Sequence, residues 1–305
     1  MTAFWCERDA KPKLGIACRS LPEIKTYAPM PEFDTLELSI AGLAKNGFEL
    51  YSIDRNEKYS PHLKNAEILK NILGGKPYQV HMPYEGNYLL PGERKFFHAR
   101  RDDHKALTSR QRVVAEIFRI TGNKGICVWH LAALKVKKQK IATLENAYEI
   151  ASILYSELDT CVLLEKWPTQ ITFENYLAPK EDYEILGYEP EHFWKLLGKT
   201  KRIGITIDTG HGNLAPEDFH FQMLMGTGFP VCSVHFHGNS GKFDPKSWKD
   251  DEHVFATKDN IRGYNRWISL FKRSGLPVIL EINKEKYKPE EIQDYTRKLR
   301  FELAI

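Results

Sequence analysis

The chain has 305 residues, 42% hydrophobic and 28% charged, enough to bury the core of one large domain or two small ones. Its net charge of +4 is small for a protein held on nucleic acid by charge alone, though it permits an anionic substrate. The five cysteines (Cys6, Cys18, Cys127, Cys161, Cys232) form no Cys-x-x-Cys pair, and no apolar stretch is long enough for a signal peptide or a membrane span. A cytoplasmic, monomeric protein without a disulfide framework is therefore expected.

Residues 1–12 read as a tail and 13–305 as one domain. β-rich runs follow in order: Lys13–Ser20, Glu49–Asp54, Tyr78–Tyr84, Gly125–Leu131, Thr160–Trp167, Ile203–His211, Val231–Gly238 and Pro277–Lys284. Segments with helical spacing alternate with them. "FDTLELSIAGLAKNG" closes on Gly47, "LTSRQRVVAEIFRITGNKG" and "ATLENAYEIASILYSEL" follow, and "KPEEIQDYTRKLRFEL" comes last. Eight strands, each followed by a helix-sized segment, predict a (β/α)8 TIM barrel. An open doubly wound sheet often has a glycine-rich first turn, and "CRSLPEIKTYAPM" has no glycine. The stretch Pro168–Pro190 reads as an insertion over the active face.

In such a barrel the C-terminal strand ends converge on one mouth. The expected strand ends carry His81, His130, Glu165, Asp208, His211, His235 and Glu281, and the loop after the seventh strand adds Asp251 and His253. Asp208 alone reads equally as the cap of the next helix. Together these groups predict a metal centre, because so many buried polar groups need cations to pair with. Imidazoles and carboxylates suit zinc, with manganese as the alternative, and the number of ligands suggests two or three ions. His237 alternates to the other face of its strand and reads as structural or supporting.

These motifs resemble those of the xylose-isomerase-like barrel superfamily, and within it the endonuclease IV branch. "VHMPYEGNYLL", "GITIDTGHGNL", "VHFHGN", "DEHVFATKDNI" and "PVILEI" are similar to that branch's ligand-bearing stretches. The loops depart from it: His130 is followed by Leu-Ala rather than Pro-Gly, and Gly238 replaces an aspartate. The resemblance implies a zinc-dependent hydrolase that cuts DNA at abasic sites. It assigns His81, His130 and Glu165 to the most exposed ion, with Glu165 bridging. A second ion would lie among Glu165, Asp208, His235 and Glu281, and a third among His211, Asp251 and His253. Tyr84 would line the substrate site.

Glu165 is then the expected catalytic group, orienting a hydroxide made by two cations. Lys135, Lys137 and Lys138 are the expected DNA contacts, with Lys140, Arg94, Lys95, Arg100 and Arg101 beside them. The alternative is a single-metal isomerase or epimerase of a sugar or sugar phosphate. There Glu165, Asp208, His235 and Glu281 would hold the ion, and the two glutamates would move a proton beside a carbonyl.

Overall fold

A computed structural model of the chain describes residues 11–53, 59–82, 101–131, 133–135, 141–175, 183–185, 187, 189–215, 229–247 and 249–305. Its strands are β1 (Lys13–Cys18), β2 (Thr35–Ser39), β3 (Tyr51–Ile53), β4 (Tyr59–Pro61), β5 (Tyr78–His81), β6 (Gly125–His130), β7 (Ala133–Lys135), β8 (Thr169–Glu174), β9 (Tyr183–Ile185), β10 (Gly204–Asp208), β11 (Val231–Phe236) and β12 (Pro277–Leu280). Eight of them close into a parallel barrel in the ring order β1-β2-β5-β6-β8-β10-β11-β12. The remaining four form two small antiparallel sheets of two strands each, β3 with β4 and β7 with β9. The fold is the expected (β/α)8 TIM barrel.

Alternation along each strand sorts the barrel into two layers. Ile205 and Ile207 of β10, Val234 and Phe236 of β11, and Leu36 and Leu38 of β2 are fully buried among the surrounding helices. Burying such a side chain is worth about 1.5–3 kcal/mol, so this outer layer is where the strands gain their stability. On these three strands the alternate positions point into the barrel and are polar, whereas Val128 of β6 and Ile279 of β12 are apolar at inward registers. Thr206 shares hydrogen bonds with Thr172 at 2.7 Å and with Ser233 at 2.8 Å. Gln79 donates to Glu37 at 2.6 Å.

Two strands lie elsewhere than the sequence predicts. The second barrel strand is β2, not Glu49–Asp54, whose residues 51–53 belong to a hairpin outside the ring. The motif "TLELSIAGLA" has apolar residues at helical spacing, but Ser39 ends the strand and caps a separate short helix, Ile40–Lys45. The fifth strand is β8, not Thr160–Trp167. The run "TCVLL" is the last part of a helix, Ile141–Leu164. That helix buries Ser152, Tyr155, Leu158 and Asp159 at helical spacing and leaves Leu163 and Leu164 at 50% and 72% exposure. A short apolar run fits a buried strand or a helix end equally well. The stretch read as an insertion therefore holds a barrel strand in its first part.

Candidate metal centre

The C-terminal strand ends place their polar side chains at one mouth, as a closed parallel barrel requires. His81 ends β5, His130 ends β6, Glu174 ends β8 and Asp208 ends β10. His235 is the next-to-last residue of β11, and Glu281 follows β12. All six are buried, Glu174, Asp208 and His235 completely.

His235 is the hub. Its Nδ1 lies 2.9 Å from Glu174 Oε1, 3.0 Å from Glu281 Oε2 and 3.8 Å from Asp208 Oδ2. Its Nε2 faces the other way, 2.8 Å from Glu37 Oε2. On one flank, His81 Nε2 and His130 Nε2 lie 3.2 Å and 3.3 Å from Glu174 Oε2. On the other, His211 Nε2 and His253 Nε2 meet Asp251 Oδ2 at 3.3 Å and 2.8 Å. His237 bridges the flanks, with Nε2 at 3.1 Å from Asp208 Oδ2 and its ring stacked on His253 at 4.1 Å.

Asp208 acts both as cap and as site carboxylate. Its Oδ1 accepts from the backbone N–H of His211 at 2.7 Å and caps the short helix Thr209–Asn213, while Oδ2 turns to the histidines. Asn175, just after β8, clamps the strand end: its Oδ1 accepts from Asp208 N and its Nδ2 donates to Asp208 O. Gly210 makes room for His237, since a Cβ there would lie 2.0 Å from the His237 ring. His253 has a left-handed backbone, φ 47°, and its ring Nδ1 is pinned 2.7 Å from the Glu281 carbonyl.

The electrostatics follow from burial and pairing. Burial alone would push the His81 imidazolium down, but the hydrogen bond to Glu174 and the charges of Glu37, Glu174 and Glu281 lift it to about 9. His253 also reaches about 9, because Asp251 more than offsets its burial. His211 and His235 are likewise raised well above the ordinary histidine value by the carboxylates around them. His130 goes the other way, to about 3, because burial outweighs the nearby glutamates. Burial opposes ionisation of Glu174 and Glu281, yet the His235 charge holds both well below the usual carboxylate range.

The expected residues and the observed site differ at several points. Glu165, expected to bridge two ions, lies just beyond the end of helix Ile141–Leu164. It is bound there by Arg112 at 2.6 Å and by the Trp167 indole at 2.9 Å, away from every metal-competent group. Glu174 occupies the strand end that Glu165 was expected to hold, because the strand begins nine residues later than expected, at Thr169 rather than Thr160. His237 was read as facing away, but β11 ends at Phe236 and the chain turns, so alternation no longer applies. Glu37 was hidden in a strand read as part of a helix; period-two alternation in "TLELS" is the signal that points to it. Tyr84, Lys137, Lys138, Lys140, Arg94, Lys95 and Arg100 lie outside the described residues, as do the side chains of Lys135 and Arg101.

The donor set fits a divalent ion. Glu174, Asp208, His235 and Glu281 each offer one ligand atom, all within 4.8 Å of one another. Three buried carboxylates converging on one imidazole need positive charge beyond what that ring supplies. Glu37 with His81, His235 and Glu281, His81 with His130 and Glu174, Asp208 with His211 and His237, and His237 with Asp251 and His253 likewise bring their ligand atoms within 4.8 Å of one another.

No family model matches the chain. An uncharacterized protein of Methanocaldococcus jannaschii is 34% identical over 80 residues, a quarter of this chain and a quarter of that protein. Solved structures match over nearly the whole barrel. A D-tagatose 3-epimerase-like protein has a TM-score of 0.66 and 19% identity, covering 96% of this chain and 100% of its own. The 3-keto-D-glucoside 4-epimerase YcjR of E. coli has a TM-score of 0.61 and 15% identity, covering 97% and 100%. IolI, solved with a bound zinc atom, has a TM-score of 0.56 and 12% identity, covering 95% and 97%. The likeness is one of fold, a (β/α)8 barrel that this chain shares with these proteins and with a xylose isomerase domain containing protein of Salmonella typhimurium.

Several of the matching structures are named as sugar epimerases or as epimerase-like, which overturns the expectation of an abasic-site DNA endonuclease. The hydrolytic step also loses its expected centre, since Glu165 pairs with Arg112. Among the described residues no helix is long and apolar enough to cross a membrane.

Proposed function

We propose that the chain is a metal-dependent isomerase or epimerase of a sugar or sugar phosphate. The observation that carries this reading is the pair of buried glutamates, Glu174 and Glu281, set 2.9 Å and 3.0 Å from one imidazole nitrogen, with Asp208 beside them. A site that moves a proton next to a carbonyl needs an ionised carboxylate at the carbon and a cation at the oxygen. The similarity of the fold to that of proteins named as sugar epimerases supports the same chemistry.

Zinc is the first candidate for the ion, with manganese as the alternative, and Glu174, Asp208, His235 and Glu281 are the residues that would hold it. When bound, a divalent ion polarises the substrate carbonyl and its neighbouring hydroxyl. The groups around His81 and around Asp251 are further places for an ion, so the two or three ions expected from the sequence divide between one central site and its flanks.

The proton steps belong to the chain. Glu174 and Glu281, both beside His235 Nδ1, are the two groups that would move the proton. One carboxylate takes the proton from the carbon beside the carbonyl; the C–H electron pair forms the new C=C bond, and the carbonyl oxygen takes the charge. Return of that proton to the former carbonyl carbon isomerises the sugar, as the neighbouring hydroxyl passes its proton to the first oxygen and becomes the new carbonyl. Epimerisation instead needs the other carboxyl to enter the step protonated: it gives its proton to the opposite face of the same carbon, while the first carboxylate keeps the proton it took. The buried walls, His81, His130 and His211 among them, keep bulk water from the carbanionic intermediate.

The reading is tested by incubating metal-replete protein with a panel of ketoses, aldoses and their phosphates and separating the products. Interconversion of at least one pair, abolished by a chelator and restored by zinc or manganese, is the expected result. Full metal occupancy with no interconversion of any member would contradict it.

A further inference from the structure

The proposed proton transfer does not use Glu37, yet Glu37 occupies an unusual position. It is a fully buried carboxylate in the interior layer of the barrel, on β2, a strand that supplies none of the four central ligands. Its Oε2 accepts from Gln79 Nε2 at 2.6 Å, and Gln79 is its register partner on β5. The same oxygen lies 2.8 Å from His235 Nε2. Oε1 has no hydrogen-bond partner among the described residues. A buried carboxylate left half satisfied is costly unless it has work to do.

The ring of His235 explains the arrangement. A neutral imidazole carries its proton on one nitrogen and offers a lone pair on the other, and a hydrogen-bond partner decides which. Around His235 the two nitrogens have different surroundings. Nδ1 meets three carboxylates, at 2.9 Å (Glu174), 3.0 Å (Glu281) and 3.8 Å (Asp208). Ligands about 2.1 Å from a common ion lie roughly 3 Å apart when at right angles and about 3.4 Å apart when tetrahedral. The Nδ1 contacts to Glu174 and Glu281 have the right-angle spacing, and Asp208 stands farther out at 3.8 Å. Nε2 meets Glu37, which is itself fixed by Gln79.

We infer that Glu37 is the positioning carboxylate of the centre: it accepts the Nε2 proton of His235, fixes the ring plane, and so presents Nδ1 to the ion held with Glu174, Asp208 and Glu281. The inference rests on the metal-dependent reading above. It adds a residue on the far side of the ring from the reaction, which touches neither the central ion nor the substrate. A carboxylate behind a ligating histidine also raises the ring's donor strength, and removing such partners typically costs 10- to 100-fold in metal affinity.

The test uses the full chain in three forms, wild type, Glu37→Gln and Glu37→Ala. Zinc affinity is measured by competition with a chromogenic chelator, and thermal unfolding is followed with and without zinc. Long-range proton–nitrogen spectra of histidine-labelled wild-type protein, assigned with a His235→Gln variant, report which nitrogen carries the proton. The expected result is zinc on Nδ1 and the proton on Nε2 in the wild type, with zinc binding 10- to 100-fold weaker in both variants. The variants' zinc-free unfolding temperature should change less than the increment that zinc adds. Affinity within twofold of wild type in folded variants would overturn the inference, and so would a proton on Nδ1 of zinc-bound His235. Loss of one whole ion equivalent with unchanged affinity for the rest would overturn it too, by making Glu37 a ligand of its own ion. If the variants fail to fold, the wild-type spectrum alone decides. Wild-type protein that takes up no zinc overturns the metal-dependent reading as well, whereas normal uptake with indifferent variants overturns only the role of Glu37.

Discussion

Glu165 and Glu174 are both glutamates with basic or imidazole partners, and only their surroundings separate them. Glu165 lies on the outside, paired with Arg112 where both side chains are partly exposed, at 33% and 50%. Such pairs contribute at most about 1 kcal/mol. Glu165→Gln should therefore retain metal content and activity, with a stability loss below about 1 kcal/mol by thermal unfolding. Glu174→Gln should fold and lose at least about 100-fold in turnover, since it removes a base and a ligand charge together. Equal losses in the two variants would return Glu165 to the reacting centre.

The histidines give this scale a pH signature. In metal-free protein His81 and His253 sit at about 9, above the ordinary value near 6.5. Their contribution to stability is complete below about pH 6.5 and is lost as pH rises through 9. His130, held at about 3, contributes in the opposite sense: its share is present above pH 6.5 and disappears as pH falls toward 3. Metal-free protein should thus lose melting temperature from pH 6.5 to 9. Zinc affinity should rise over the same window, because zinc and protons compete for these rings. A pH-independent zinc affinity between 6.5 and 9, measured by calorimetry in buffers of different ionisation enthalpy, would contradict the protonated state of these rings.

At the scale of elements, the mouth is assembled from strand ends, and the sequence showed most of it. His81, His130, Asp208, His235 and Glu281 are legible because each closes a β-rich run with a clear boundary. Glu174 was not, because "TCVLLE" imitates a buried strand while the real one, "TQITFE", carries polar residues at its inward positions. Glu37 was lost for the related reason that "TLELS" runs directly into a helix with matching spacing. In both cases an interior lined by polar groups breaks the rule that barrel strands read as apolar runs. Asp208 joins the two levels, as it ends a strand, caps a helix and faces the site. Asn is as good an N-cap as Asp. Asp208→Asn should therefore cost under about 1 kcal/mol in metal-free stability but weaken zinc binding at least 10-fold. A variant that unfolds without losing zinc affinity when folded would show that the cap is the main role of Asp208.

For the whole molecule, the closed ring brings residues from all parts of the chain to one point, and the contact between Glu37 and His235 spans 198 positions in sequence. No local motif reveals such a pairing; it requires the ring order. The fold itself was legible from the count of alternating elements, even with two strands misplaced, because the remaining six fix the parallel order. The barrel is also the level at which the DNA-cutting expectation failed, since ligand-rich strand ends are compatible with more than one chemistry on the same fold. The centre should tie the molecule together: a chelator should lower the melting temperature by several degrees, with restoration on adding zinc.

The most direct test of the account is proton exchange in deuterated water. Zinc-loaded protein is incubated with a converted sugar, and deuterium at the carbon beside the carbonyl is followed by NMR for wild type, Glu174→Gln and Glu281→Gln. The account predicts incorporation in the wild type and its loss in Glu174→Gln and Glu281→Gln when they are compared at full zinc occupancy. Exchange at the wild-type rate in both variants would show that neither glutamate moves the proton, and would contradict the chemistry assigned to this barrel.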